Sequence, residues 1–416
     1  MGSWQTSESG PFFWRQAVQT IFDTVLSSRR GLGDIGVVVD PFTGRVNTCI
    51  PAAVRYPGGP VLKAADFYDD AQRQMVRGQI EPKLDPRLSI LCDVLNPGAA
   101  HYKGKYLLAA RFANIRRFTD HFLAESEDGI HWTCSPRVLN IPDLPKAPKA
   151  STLRAANPNL PKDQAWRPGA MYDARITQMG DEYLMTLAVD YDTLEPEGKE
   201  FFNICDNVLY RTRDFKKFEF ISTFLGNTRN GVMFPRKIDG YYWCAGRPNS
   251  YTTSGEALKG QSTLLFRSKD LVDWEEVSVL FSAGHAWLCH GGPGFPPFET
   301  EDYWVLGAHG VEIHGSHRVH YRGAVAILDK KTMKLVAPPA PILDPAEQYE
   351  LDGIVDNVIF PSGILFGDGR GDGVKSPDTR VAIYYGGADR VIGAALSTVG
   401  RLVAAGLGTH NPFANL

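Results

Sequence analysis

The chain has 416 residues, 43% of them hydrophobic, and a formal net charge of −3. That length and composition suffice for a large buried core, and the near-neutral charge lacks the clustered basic excess of a nucleic-acid binder. Its apolar runs fall far short of the roughly 20 residues that span a membrane.

The first predicted element is a helix. "PFFWRQAVQTIFDTVLSSRRGLG" places Trp14, Val18, Ile21, Phe22 and Val25 at helical spacing, with Arg29 and Arg30 near the end and Gly31 as a stop. Its apolar stripe needs a cover: the body of the same subunit, or a neighbouring subunit, which would make a homo-oligomer.

From about residue 90 a pattern recurs: a Gly- or Asp-containing turn, an aromatic-rich strand, then a polar strand. The copies begin at "YKGKYLLAARF", "MGDEYLMTLAVD", "IDGYYWCAGRP", "TEDYWVLGAHG" and "DTRVAIYYGGAD". Five such hairpin units predict an all-β fold, a five-bladed β-propeller, with inserted loops because the spacing exceeds a typical ~40–45-residue blade. Residues 1–45 then form an N-terminal helical extension and residues 46–416 the propeller. Strand ends in a propeller converge on a central funnel. The residues expected there are Asn96, Arg111, Asp173, Arg175, Arg229, Asn230, Arg247, His309 and Asp389. Carboxylates, amides and cations meeting beside aromatic faces suit a carbohydrate.

Other features carry less. The six cysteines are dispersed, with no CxxC and no Cys/His ligand spacing, so free thiols in a reducing cytoplasm are expected. No basic start followed by an apolar run marks a secretory signal. "HGGPGFPP" lacks the ending and setting of a phosphate-binding loop. His314, His317 and His320 lack the partners of a recognised metal site, and "FGDGRGDGVKSPDTR" lacks the calcium-loop spacing of an EF-hand and reads as a flexible surface turn. No metal is expected.

Eight stretches, in order, resemble glycoside hydrolase family 130, the β-mannoside phosphorylases and related β-mannosidases: "NPGAAHYKGKYLLAAR", "MYDARIT", "RNGVMFPRKIDGYY", "GRP", "PGFPPFETEDYWVLGAHGV", "YRGAVAILD", "PILDPAEQYELDGIVDNVIFPSG" and "IYYGGADRVIGAA". The resemblance runs from about residue 54 to 400. It implies a five-bladed propeller, an oligosaccharide substrate, and no cofactor beyond inorganic phosphate as co-substrate. It places the catalytic acid on Asp173, which in the family protonates the leaving oxygen through the 3-hydroxyl of the mannosyl unit. It implies sugar contacts from Arg111, Asp120 and Asp389, and a phosphate site from Arg229, Asn230, Arg247 and Tyr321, with His309 nearby. Arginine suits this role because its planar fork binds two oxygens at once.

One position departs from the family pattern. Glu299 in "PPFET" stands where the family has a phosphate-binding Lys. Each unit of like charge at 4 Å costs about 4 kcal/mol at an effective dielectric of about 20. Three readings therefore stay open. The first is inverting phosphorolysis of a β-mannosyl oligosaccharide to mannose 1-phosphate. The second is inverting hydrolysis with Glu299, aided by Glu312 or Glu350, activating water. The third is a carbohydrate-binding propeller without chemistry. In the stretch that carries the arginines, Arg236 and Lys237 occupy a turn and are expected to be solvated.

Overall fold

The computed structural model describes residues 36–39, 46–49, 52–69, 85, 87–88, 91–115, 119–142, 144, 166–193, 203–224, 228–248, 262–284, 287–314 and 318–409. The helix expected within residues 1–45 lies outside them. Gly36–Val39 pairs with Val46–Cys49 as a two-stranded hairpin.

Five antiparallel sheets surround a central axis as the blades of a propeller. Each blade starts with a strand at the axis and meanders outward. Blade I runs Leu91–Tyr102, Lys105–Asn114, Thr119–Ser126 and Thr133–Val138. Blade II runs Trp166–Met179, Glu182–Thr193, Asn203–Thr212 and Phe218–Phe224. Blade III runs Thr228–Met233, Tyr242–Pro248, Thr263–Ser268 and Trp274–Phe281. In blade IV the inner position is shared by His290–Pro293 and Phe298–Thr300, followed by Tyr303–His314, Arg318–Asp329 and Ala340–Leu343. Blade V runs Ile359–Phe366, Arg380–Gly387 and Val391–Thr398, and its outer strand is Val54–Arg55 from the other end of the chain.

The repeat visible in the sequence corresponds to the second and third strands of each blade. The axial strands precede each copy and escaped it. They share no common pattern: Gly98, Ala99 and Ala100 or Gly291 and Gly292 are small, whereas Trp166–Met179 and Ile359–Phe366 carry aromatic residues.

Apolar clusters fill the spaces between neighbouring blades. Blades I and II meet through Leu107, Ala109, Leu187 and Val189, and blades III and IV through Val232, Leu265, Trp304 and Leu306. Ring closure joins residues 295 positions apart: Arg55 is 8% exposed and its Nε donates to Glu350 Oε1 at 2.8 Å.

The "FGDGRGDGVKSPDTR" segment is a built structure rather than a flexible turn. Lys375 Nζ is buried at its centre and donates to Asp368 Oδ2 (2.8 Å) and to the carbonyls of Arg370 (2.9 Å) and Asp372 (2.8 Å). An ammonium thus holds the acceptors that the composition suggested for a cation. The segment reaches across to blade II, where Gly371 N donates to Gln178 Oε1 at 2.8 Å. It also adds Val374–Lys375 in parallel to Phe298–Thr300 of blade IV.

Candidate active site

Three axial strands carry the same local irregularity. The register with the second strand slips between Leu95 and Gly98 in blade I, between Tyr172 and Arg175 in blade II, and between Arg229 and Val232 in blade III. Each slip contains an Asn or Asp in the left-handed region: Asn96 (φ 40°), Asp173 (φ 56°) and Asn230 (φ 58°). Among non-glycine residues, Asn and Asp adopt this conformation at least cost, because their short polar side chains bond locally. A bulge breaks the ladder and re-aims a side chain. Asp389 (φ 55°) turns inward from the loop between the second and third strands of blade V.

These residues meet in one cavity of ≈ 200 Å³. Asn96, Arg111, Asp173, Arg229, Asn230, Arg247, His309, Tyr321 and Asp389 line it, together with Tyr172, Val355, Val358 and Phe360, which the sequence reading did not single out.

One half of the cavity is built around Asp173. Its Oδ1 accepts from Arg111 Nη1 at 2.7 Å and Asn96 Nδ2 at 3.0 Å. Burial alone would raise its pKa, but Arg111, Arg175 and Asn96 outweigh burial and hold it below the ordinary carboxylate value. The Arg111 guanidinium lies over the Tyr172 ring at 4.8 Å. Asp389 has the opposite fate: burial, reinforced by the Asp173 charge and only partly opposed by Arg111, pushes it up to about 6. Two carboxylates whose environments push their proton affinities apart are a recurring feature of acid–base sites.

The other half is cationic. Arg229 and Arg247 are direct partners across the blade III hairpin. Like charges directly opposite destabilise a sheet, so the pair is a cost to the fold that an anion would offset. Arg229 Nη2 lies 3.6 Å from Asp190 Oδ1, which also accepts from Tyr172 OH at 2.9 Å. The Nε of Arg247 is buried without a hydrogen-bond partner. His309 stacks on Tyr321 with ring centroids 6.0 Å apart, and its Nδ1 lies 3.2 Å from the Pro293 carbonyl. Burial, then Arg247 and Arg175, push its pKa well down. The ring is therefore neutral, with the proton on Nδ1 and Nε2 left as an acceptor. Gly292 allows this convergence: a Cβ there would lie 2.9 Å from His309 Cε1 and 3.0 Å from Asn230 Nδ2.

Three expected site residues lie elsewhere. Arg175 is 2% exposed and packs behind Asp173: Nη1 donates to the Asp173 carbonyl (2.6 Å), Nε to the Gly294 carbonyl (3.3 Å), and the guanidinium covers Phe360 at 5.0 Å. Asp120 sits on the third strand of blade I, one strand removed from Arg111. It pairs with Arg87 (3.1 Å) and caps the His121 N–H (2.8 Å). Glu299 is 4% exposed and clamped by Arg236 (Nε 2.6 Å, Nη2 2.8 Å) and Lys330 Nζ (2.6 Å). It borders a different cleft, with Pro235, Tyr242 and Asp372. The charge conflict expected from the Lys-to-Glu departure therefore does not arise. Arg236 is not simply solvated: besides Glu299 it covers the Trp304 ring, and Lys237 sits over Tyr242.

The other candidate bases are also committed. Glu350 is fully buried and accepts from Arg55, Tyr385 OH (2.7 Å) and the N–H groups of Ala346 and Glu347. Glu312 pairs with Arg322, which with His320 also binds Asp344. Among the described residues no three His, Cys, Asp or Glu side chains cluster as a metal site would require, and no helix is long and apolar enough to cross a membrane.

Comparison with known proteins identifies the family of the chain. The family model described as beta-1,4-mannooligosaccharide phosphorylase, glycoside hydrolase family 130, matches residues 151–405. A beta-1,4-mannooligosaccharide phosphorylase of Ruminococcus albus is 30% identical over 305 residues, 72% of this chain and 80% of that one. A 4-O-beta-D-mannosyl-D-glucose phosphorylase of Bacteroides fragilis is 25% identical over 317 residues, 74% of each chain. Among solved structures, the beta-1,2-mannobiose phosphorylase of Listeria innocua in complex with beta-1,2-mannobiose superposes with a TM-score of 0.57 at 20% identity. That match covers 80% of this chain and 96% of the other, and at this identity it speaks to the fold.

Proposed function

Because this chain belongs to glycoside hydrolase family 130, we propose that its cavity is the active site of a β-mannoside phosphorylase, transferring a mannosyl unit from an oligosaccharide to inorganic phosphate. The observation that carries this reading is the division of the cavity. Both of its carboxylates, Asp173 and Asp389, lie in one half, and a pair of arginines, Arg229 and Arg247, lies in the other.

The mannosyl ring sits against Asn96, Arg111, Asp173 and Asp389, and phosphate occupies the half formed by Arg229, Asn230, Arg247, Tyr321 and His309. Phosphate attacks C1 on the face opposite the leaving oxygen, so a single displacement inverts the β-linkage and yields α-mannose 1-phosphate. The C1–O bond to the acceptor sugar breaks as the C1–O bond to phosphate forms. The leaving oxygen gains a proton that originates on Asp173 and passes through a sugar hydroxyl. In the free protein Asp173 is held as a carboxylate. Binding of a phosphate dianion beside the arginines raises its proton affinity, since a nearby negative charge favours the neutral acid.

Hydrolysis by an inverting route needs a base on the face opposite the acid. The opposite half of this cavity presents cations, and Glu299, Glu312 and Glu350 are bound elsewhere. The dispersed cysteines, with no CxxC spacing, fit a reducing cytoplasm.

Incubation with β-mannosyl oligosaccharides, with and without inorganic phosphate, tests the reading. Mannose 1-phosphate forms only when phosphate is present, and Glu299→Gln behaves as the unaltered protein does. Free mannose released without phosphate, and no sugar phosphate with it, would overturn the assignment.

A further inference from the structure

The bulge that carries the anion pair is held from outside its own blade. Between Arg229 and Val232 the ladder to the second strand of blade III is broken, and Asn230 and Gly231 have no register partner there. A bulge leaves main-chain groups that must be satisfied by other means. Two side chains of blade II satisfy both main-chain groups of Gly231 and reach the Thr228 carbonyl. Asn207, 1% exposed, accepts the Gly231 N–H on Oδ1 at 2.8 Å and donates from Nδ2 to the Thr228 carbonyl at 2.7 Å. Thr186, 2% exposed, donates from Oγ1 to the Gly231 carbonyl at 2.6 Å.

The Asn207 amide therefore acts as a surrogate peptide group bridging both ends of the Thr228–Gly231 segment. The fit is close: a Cβ on Gly231 would fall 2.9 Å from Asn207 Cγ. Thr186 stands directly across the ladder from Arg175, beside the bulge that presents Asp173. One strand, Glu182–Thr193, thus borders the acid's bulge on its ladder edge and supports the anion-binding bulge of the next blade through Thr186.

We propose that Asn207 and Thr186 are positioning residues for the phosphate subsite, fixing from blade II the backbone that aims Arg229 and Asn230. The inference rests on the phosphorylase reading. Neither side chain lines the cavity, so both act through the backbone they hold. Their loss frees the bulge to relax, and two oxyanion ligands lose alignment together. The mannosyl half, built from blades I, II and V, keeps its contacts.

The test compares Asn207→Ala, Thr186→Val and Thr186→Ser with the unaltered protein. Three quantities are measured: KM for phosphate at saturating mannoside, KM for mannoside at saturating phosphate, and phosphate Kd by calorimetry without the sugar. Asn207→Ala and Thr186→Val each raise the phosphate KM and Kd about tenfold, equal to about 1.4 kcal/mol, while the mannoside KM stays near its original value. Thr186→Ser keeps the hydroxyl and restores phosphate affinity. If Asn207→Ala does not fold, the Val and Ser pair at position 186 decides alone. A lowered Tm with phosphate KM and Kd unchanged, or an equal rise in both KM values, overturns the positioning role. Absence of phosphate-dependent turnover in the unaltered protein would instead sink the reading beneath it, and this inference with it.

Discussion

The two halves of the cavity meet the cost of buried charge in opposite ways. In the Asp173 half the charges answer one another: Arg111 and Asn96 bond the carboxylate directly, and Arg175 supports it from behind. In the arginine half like charges face each other across a hairpin, with Asp190 3.6 Å from Arg229 and a buried Nε on Arg247 that meets no acceptor. In the first half Asp173 already has its partners without a ligand. The second is completed by an anion. A pocket whose acid is already engaged at one end and whose arginines face each other at the other encodes the order of its two substrates in space.

Substitutions at three positions test this contrast. The largest effect is expected from Asp173→Asn, which removes the proton donor: kcat falls by about 10²–10⁴-fold, while phosphate still binds by calorimetry. Near-normal turnover would mean that protonation does not depend on this half. Next is Arg247→Met. A charge-assisted hydrogen bond contributes about 1.5–3 kcal/mol, so the phosphate KM rises about 10- to 100-fold with little change in mannoside affinity. Arg247→Lys recovers only part, because an ammonium lacks the planar fork. Equal losses for both ligands would erase the distinction between the halves.

The smallest effect concerns stability. Asp389 titrates at about 6 in the folded protein against an ordinary 3.8, so the folded state holds this proton more tightly than the unfolded chain. Its destabilising contribution is absent below about pH 3.8, builds between 3.8 and 6, and is complete above 6. Asp389→Asn should therefore melt a few degrees higher than the unaltered protein at pH 7–8, the difference vanishing toward pH 4. A difference that grows on acidification would show that the carboxylate is stabilising, with the sign reversed.

Much of this site was legible because its residues sit in conspicuous local sequences. "YDAR" and "RNG" mark bulges, where an Asn or Asp tolerates a left-handed backbone. The failures have the same origin. In a regular strand residues i and i+2 share a face, which places Arg175 in the funnel with Asp173. The register slip between Tyr172 and Arg175 cancels that alternation. The adjacent residues Tyr172 and Asp173 both line the cavity, as do Arg229 and Asn230, and Arg175 drops behind them. Glu299 was misjudged because its partner Lys330 lies in the turn after Arg318–Asp329, which no local spacing connects to it. Asn207 carried no motif at all: its role is defined by a bulge in another blade.

The ring is closed by Val54–Arg55 lying against Val391–Thr398, with Ser397 Oγ bonded to the Ala52 carbonyl 345 positions away. On the ribosome that outer strand emerges before blades I to IV and waits, with its edge unpaired, while they are synthesised. Loop-closure entropy must be met before so distant a pairing rewards it, and exposed strand edges are where nascent chains associate wrongly. The slowest step in making this protein should therefore be the closing of the circle.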